Sequence, residues 1–387
     1  MNSPKTLIID DAIPYAQEIF SHLGRVITVP GKEIQAHTVR HADALIVRSR
    51  TQVNQSLLQN SRIQFVGSTV VGLDHIDQRY LQQHNIPFYS AQGCNANSVA
   101  EFIIATLLDL AEHFQFNLFK KTLGIIGVGH VGKLVHQKAT ALGLTCLLND
   151  PPRARFEKDK GGEKNNFVSL EACLTADIIT FHTPLTTKGE DATLDLLSAE
   201  RLKAIQPHQI LINAARGGII NESAWQHTPT LANVIDCWEN EPNISPPLYQ
   251  TAYLATPHIA GHSLDAKVAG SSMVYHALCK AWNKPPQTDW QQNLPPLPPV
   301  IQLEKKESHQ ATLHALFKQT HNIQHDDQAI RADNIQQVHQ KYEHYRRNYP
   351  IYREWHCHTI KTQNDPAHSK LLKALNFRSY LENNAYL

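Results

Sequence analysis

The run Gly127-Val128-Gly129-His130-Val131-Gly132 constrains this chain more than any other feature. An apolar strand, Leu123-Gly124-Ile125-Ile126, leads into it. A helical pattern, His130 to Leu142, leads out, with Gly143 placed as the left-handed cap. Glycines at this spacing let the backbone turn tightly and approach a pyrophosphate, which then sits at the positive end of the helix. The spacing alone is weak. Here Asp150 closes the next strand, 18 positions after Gly132, where a carboxylate meets the ribose hydroxyls of a dinucleotide. That carboxylate repels a 2′-phosphate and favours NAD over NADP; Arg153 and Arg155, close by, pull the other way. The plain alternative is a strand–turn–helix that binds nothing.

Around this turn, short apolar strands alternate with helical stretches. Leu7 to Ile9, Ala44 to Val47, Gln64 to Gly67 and Ile86 to Tyr89 precede it; strands at residues 178–181, 210–213, 233–236 and 253–255 follow. Such alternation predicts an α/β fold with parallel sheets covered on both faces. A helix starting at the capping-box spacing Ser98-Val99-Ala100-Glu101 is expected to link two such series. A last helix, about residues 265–282, is expected to pack back on the first series. The proline-rich segment 285–299 reads as a stiff linker.

Composition excludes several function classes. The 387 residues are 42% hydrophobic with a formal net charge of +1, so neither nucleic acid nor an anionic membrane is the expected partner. The N-terminal residues show no signal-peptide pattern and no apolar run approaches the ~20 residues of a membrane span, so a cytoplasmic location is expected. Six scattered cysteines without Cys-x-x-Cys spacing suit free thiols. No metal is expected: there is no His-Glu-x-x-His, and strand alternation would split His356-Cys357-His358 between two faces.

Three phrases follow the glycine turn in order: Asn213-Ala214-Ala215-Arg216-Gly217, Asp236-Cys237-Trp238-Glu239-Asn240-Glu241-Pro242 and Thr256-Pro257-His258-Ile259-Ala260-Gly261. They supply a cation, a carboxylate and an imidazole. Arg216 can grip a substrate carboxylate through two parallel donors. His258 can take a hydroxyl proton as hydride leaves the same carbon, and Glu241 can orient the imidazole. Singly, each has a bland alternative: a surface cation, a turn carboxylate, a satisfied core histidine. All three follow strands of a nucleotide-binding sheet, and ligands bind beyond the carboxyl ends of such strands.

With His182-Thr183-Pro184-Leu185, these phrases resemble the D-isomer-specific 2-hydroxyacid dehydrogenases, in family order and from about residue 5 to about residue 285. The resemblance implies an NAD-binding Rossmann domain, residues 96–259, inserted in a flavodoxin-like substrate domain, residues 1–95 and 260–288, with catalysis in the cleft between them. Arg216, Glu241 and His258 would be catalytic. Gly127, Gly129, His130, Val131, Gly132, Asp150, Thr183, Asp236 and Gly261 would hold NAD, Asp236 at the nicotinamide amide. Ser49, Val70, Gly72 and His262 would face the substrate. A narrower likeness rests on Pro14-Tyr15-Ala16, Val47-Arg48-Ser49, Gly93-Cys94-Asn95-Ala96, Asp150-Pro151-Pro152-Arg153 and, in the tail, Arg353-Glu354-Trp355. It implies a four-carbon phosphorylated 2-hydroxy acid as substrate, and an α+β dimerisation domain, residues 289–387, making a homodimer. Phosphate recognition needs local positive charge: Arg48 and Arg50 follow a first-domain strand, Arg346, Arg347 and Arg353 of the tail could reach a partner subunit's cleft, and the plain alternative for each is a solvated surface cation. Val70 and His262 depart from that narrower pattern, where a threonine and a tyrosine are expected. A glycerate or phosphoglycerate dehydrogenase, or a non-catalytic NADH-sensing protein, are the alternatives.

Overall fold

The computed structural model describes residues 4–159, 166–363 and 365–381. They fall into two compact units: Met1–Asn95 with His262–Leu297, and Ala96–Gly261 with Pro298–Leu387.

The first unit is built on strands β1 (Thr6–Asp10), β2 (Arg25–Val29), β3 (Ala44–Val47), β4 (Phe65–Ser68) and β5 (Phe88–Ser90), all parallel, in the order β2-β1-β3-β4-β5. Strand periodicity sends Leu7, Ile9, Ala44 and Ile46 to one face, where they pack against Val274, Tyr275 and Leu278 of the helix Leu264–Ala281. It sends Ile8, Leu45 and Val47 to the other, against Val39, Leu57 and Leu81. The alternation read from the sequence passes over β2, an edge strand only partly buried and joined to the preceding helical turn through Gly24 alone. The proline-rich segment is also more structured than a linker. Residues Asp289–Asn293 form a 3-10 turn that buries Trp290 in this unit's core.

The second unit carries β6 (Thr122–Ile126), β7 (Thr145–Asn149), β8 (Ile178–Phe181), β9 (Ile210–Asn213), β10 (Ala232–Ile235) and β11 (Leu254–Ala255), again all parallel, ordered β11-β10-β9-β8-β6-β7. A single parallel bridge, Leu148 to Phe167, extends the sheet beyond β7. The helix Ala96–His113 starts two residues before the expected cap. Ser98 is inside it, its hydroxyl donating to the Ala260 carbonyl at 3.0 Å, and Glu101 accepts from the Trp355 N–H and the Tyr352 hydroxyl. Ser98 and Glu101 thus serve tertiary contacts, and the capping-box reading fails.

The tail adds a three-stranded parallel sheet, β12 (Ile301–Gln302), β13 (Thr359–Thr362) and β14 (Arg378–Leu381), and the helices His309–Thr320, Ile323–Ile330, Ile335–Arg347 and Pro366–Ala374. Trp355–Cys357, expected in a strand, is one 3-10 turn. The tail's apolar residues join two cores of the nucleotide-binding fold. Leu313, Phe317 and Trp355 pack with the helix Ala96–His113; Val338 and Tyr342 pack with Trp238, Leu248 and Tyr249. The described residues from 298 onward are therefore compact with the second unit, sharing its buried surface.

Candidate active site

In the second unit the strand order reverses between β6 and β8, the point at which sheets of this kind hold ligands. The glycine turn leaves β6 there. Gly127 has φ +87°, and a Cβ on it would lie 2.8 Å from the Thr183 nitrogen at the end of β8. A Cβ on Gly132 would lie 2.0 Å from the Gly127 carbonyl oxygen, so only glycine lets the helix start this close to the strand. Gly129, by contrast, faces no atom within 4 Å. His130 and Val131 open the helix His130–Ala141 and present its first N–H groups.

Asp150 sits where the sequence placed it and also braces the turn. Its carboxylate accepts the Val128 N–H at 2.8 Å and the Arg153 N–H at 3.1 Å. The Arg153 guanidinium donates to the Val128 carbonyl and to Glu157, and Arg155 pairs with Asp191. Both arginines are thus engaged within the chain, which weakens their pull toward a 2′-phosphate. Thr183 Oγ1 and His182 Nδ1 are buried without a hydrogen-bond partner. Burial pushes the His182 pKa down to about 3, so that ring is neutral. An open glycine cradle, a helix N-terminus, an acidic residue at the second strand end and an unpartnered hydroxyl fit a dinucleotide.

The three catalytic candidates lie beyond β9, β10 and β11. Buried Asn213 ties two of their loops together: its side chain donates to the Arg216 carbonyl at 2.9 Å and the Cys237 carbonyl at 3.3 Å, and accepts the Ala215 N–H. Gly217 makes the same junction possible, since a Cβ there would sit 2.1 Å from the Trp238 oxygen. His258 Nδ1 lies 2.9 Å and 3.1 Å from the two Glu241 oxygens, and Glu241 also accepts the Trp238 N–H at 2.9 Å. Burial works to raise the Glu241 pKa, but His258, the Trp238 N–H and Arg346 outweigh it and bring it down to about 2. Glu241 is therefore ionised at neutral pH and can only accept, so Nδ1 is the donor and the neutral ring keeps its lone pair on Nε2.

Asp236 is buried, and its carboxylate accepts from Thr256 Oγ1 at 2.7 Å, Ile259 N at 2.7 Å and Ala260 N at 3.1 Å. It anchors the loop on which His258 adopts φ +55°. Burial raises its pKa, against the opposing pull of His258 and these donors. Cys237 lies beneath: its sulfur, a Glu241 oxygen and a His258 ring nitrogen are all within 4.8 Å of one another. Burial pushes the thiol far up, Asp236 and Glu241 add to this, and Arg216 and Arg346 oppose it.

Sequence reasoning missed Glu222 and cast Arg346 as a phosphate ligand, not as a contact of the catalytic loop. Glu222 accepts the Glu239 N–H at 2.7 Å and supports the loop bearing Glu241; burial raises its pKa to about 7. Arg346 belongs to the tail helix Ile335–Arg347, yet its Nε–H donates to the His258 carbonyl at 3.2 Å. Neither leaves a local signal, since each acts on a residue distant in sequence. The substrate candidates Ser49, Val70 and Gly72 lie in the first unit beyond the ends of β3 and β4. Their loop is braced by Ser90 Oγ–H on the Val70 carbonyl at 3.1 Å and Gln92 Nε2 on the Val71 carbonyl at 2.7 Å. Gly261 closes the first of the second unit's two segments, and His262 opens the return into the first unit.

Residues 108–260 match the model of the D-isomer specific 2-hydroxyacid dehydrogenase NAD binding domain, and residues 294–375 match a domain of unknown function, DUF3410. The chain is 59% identical over 98% of its length to the erythronate-4-phosphate dehydrogenase of Hydrogenovibrio crunogenus, matching 100% of that protein. It is 48% identical over 92% of its length to that of Ruthia magnifica, matching 98% of that protein. Among solved structures, the NAD-bound 3-phosphoglycerate dehydrogenase of Entamoeba histolytica covers 73% of the chain, and 96% of itself, at 22% identity and a TM-score of 0.59. The D-lactate dehydrogenase of Aquifex aeolicus, complexed with NAD and lactic acid, covers 72%, and 95% of itself, at 20% and 0.54. At these identities the two structures establish the fold alone.

Proposed function

The chain belongs to the D-isomer-specific 2-hydroxyacid dehydrogenases, in the branch of the erythronate-4-phosphate dehydrogenases, and we propose from this that it oxidises 4-phospho-D-erythronate at C2 with NAD. The product is (R)-3-hydroxy-2-oxo-4-phosphooxybutanoate, an intermediate of pyridoxal 5′-phosphate biosynthesis. The observation that carries the reading is the Glu241–His258 pair, held on loops beyond the strands of a dinucleotide-binding sheet.

In this reading Gly127, Gly129, Gly132, Asp150 and Thr183 hold the dinucleotide, and Asp236 sets the loop beside it. NAD held there would supply the acceptor for the hydride that leaves C2. Arg216 binds the substrate carboxylate and polarises the carbinol oxygen. His258 Nε2 takes the C2 hydroxyl proton, while Glu241 keeps the ring oriented and offsets the charge that forms. Ser49 and the backbone N–H groups around Gly72 grip the substrate, Val70 contributes shape alone, and His262 donates to the phosphate. Self-association through the tail and a place in the cytoplasm complete the proposal; among the described residues no helix is long and apolar enough to cross a membrane.

The experiment is NADH formation from 4-phosphoerythronate, set beside 3-phosphoglycerate, glycerate and lactate. The reading expects the phosphorylated four-carbon acid to have the highest kcat/KM. Brisk turnover of another acid with none of 4-phosphoerythronate would retire the substrate assignment and keep the family chemistry.

A further inference from the structure

The tail helix Ile335–Arg347 reaches the catalytic loop with two residues one turn apart. Tyr342 is 1% exposed, packs in the core with Trp238 and Tyr249, and its hydroxyl has no hydrogen-bond partner. Arg346 donates from Nε to the His258 carbonyl at 3.2 Å. That carbonyl belongs to a residue in the left-handed region, φ +55°, which a side chain with a Cβ occupies only when its surroundings hold it. The surroundings hold it from two sides. The next two N–H groups are tied to Asp236, at the end of β10, and the carbonyl is tied to the tail.

We propose that Arg346 is a positioning residue for the acid/base: it fixes the His258 backbone and supplies the cation that balances the carboxylates around the imidazole. The catalytic unit is then the nucleotide-binding fold together with one helix of the tail. The inference rests on the reading of His258 as the proton acceptor. Glu241, Asp236 and Cys237 from beyond β10 and Arg346 from the tail helix adjoin His258; Glu222 and Tyr342 act on Glu241, and Arg216 from beyond β9 acts on Cys237. Arg346 is the tail's positive charge acting on Glu241. Removing Arg346 leaves the carboxylates in excess, which favours the protonated form of a neighbouring imidazole. Oxidation needs the neutral form, so that form is reached only at higher pH.

The test uses the full chain as parent, Arg346→Gln, Arg346→Lys and His258→Ala, each assayed for oxidation across pH, for NADH binding by fluorescence, and for Tm. In Arg346→Gln, kcat falls roughly 10²-fold, the scale of a misplaced catalytic group. NADH affinity holds, and the acidic limb of kcat/KM moves up by about one unit. Arg346→Lys keeps the charge and returns the limb toward the parent position. Parent-like kcat and limb in Arg346→Gln overturn the inference. So does a loss equal at every pH that lysine does not repair and that tracks a lower Tm, because that is the behaviour of a strut. An inactive parent, or an active His258→Ala, sinks the reading and the inference with it. An active parent with a dead His258→Ala and an unaffected Arg346→Gln sinks the inference alone.

Discussion

At the residue scale the site is organised by carboxylates that do different work. Glu241 pairs with His258 and is held at about 2, while Asp236 accepts three donors from the loop that carries the imidazole. Asp236→Asn can accept with only one atom, so at least one buried N–H loses its partner. A cost of about 1–3 kcal/mol in urea unfolding is expected, together with a lower kcat; unchanged stability would mean the loop is held otherwise. Glu241 has the opposite sign from a raised carboxyl. Its folded pKa lies below the ordinary value of 4.5, so its contribution is fully present above about pH 4.5 and is lost as pH falls toward 2. Glu241→Gln should therefore lower stability relative to the parent at pH 6, with the gap narrowing as the pH approaches 2. A gap that is constant over that range would assign the loss to shape.

At the element scale the helix Ala96–His113 ties the tail to the dinucleotide helix. Glu101 is buried and accepts from Asn97, Tyr352 and the Trp355 N–H; Asn97 also donates to Glu354. Buried Lys138, from the helix that opens at the glycine turn, donates to the Leu375 carbonyl and lies over the Trp355 ring. Burial raises the Glu101 pKa to about 8, Glu354 adds to the rise, and Lys138 and the donors oppose it. A carboxyl raised on folding makes the folded state lose ground as pH climbs from its ordinary value of 4.5 toward 8. The unfolding midpoint should fall between pH 5.5 and pH 8, and Glu101→Gln should flatten that slope. An equally steep slope in the variant would place its origin elsewhere. The sequence spacing of Ser98 and Glu101 suggested a cap, because local pattern cannot show that the chain at Ala260 and at Trp355 returns to meet them. The glycine turn and the helix after it were legible, since their physics is contained in one short stretch.

At the scale of the whole molecule, what the sequence revealed and what it hid divide along the same line. The parallel α/β class was readable, and Arg216, Glu241 and His258 could be placed after strand ends, which in such a sheet lie along one edge. The tail's share in the nucleotide-binding core was not, because Val338, Tyr342 and Arg346 meet Trp238 and His258 only through contacts distant in sequence. The proposed homodimer belongs to this scale. Sedimentation velocity of the full chain should report a dimer that persists on dilution, and a monomer at every concentration would remove the tail's assigned role in association.

In the proposed mechanism Arg216 and His258 act on the reacting carbon while the glycine turn independently holds the cofactor. The most direct measurement compares Arg216→Ala and His258→Ala with the parent, by kcat for 4-phosphoerythronate oxidation and by NADH affinity. The account predicts a kcat lower by ~10²–10⁴ in both variants, with NADH affinity unchanged. Turnover near the parent's in either variant, or loss of NADH binding in both, would contradict it.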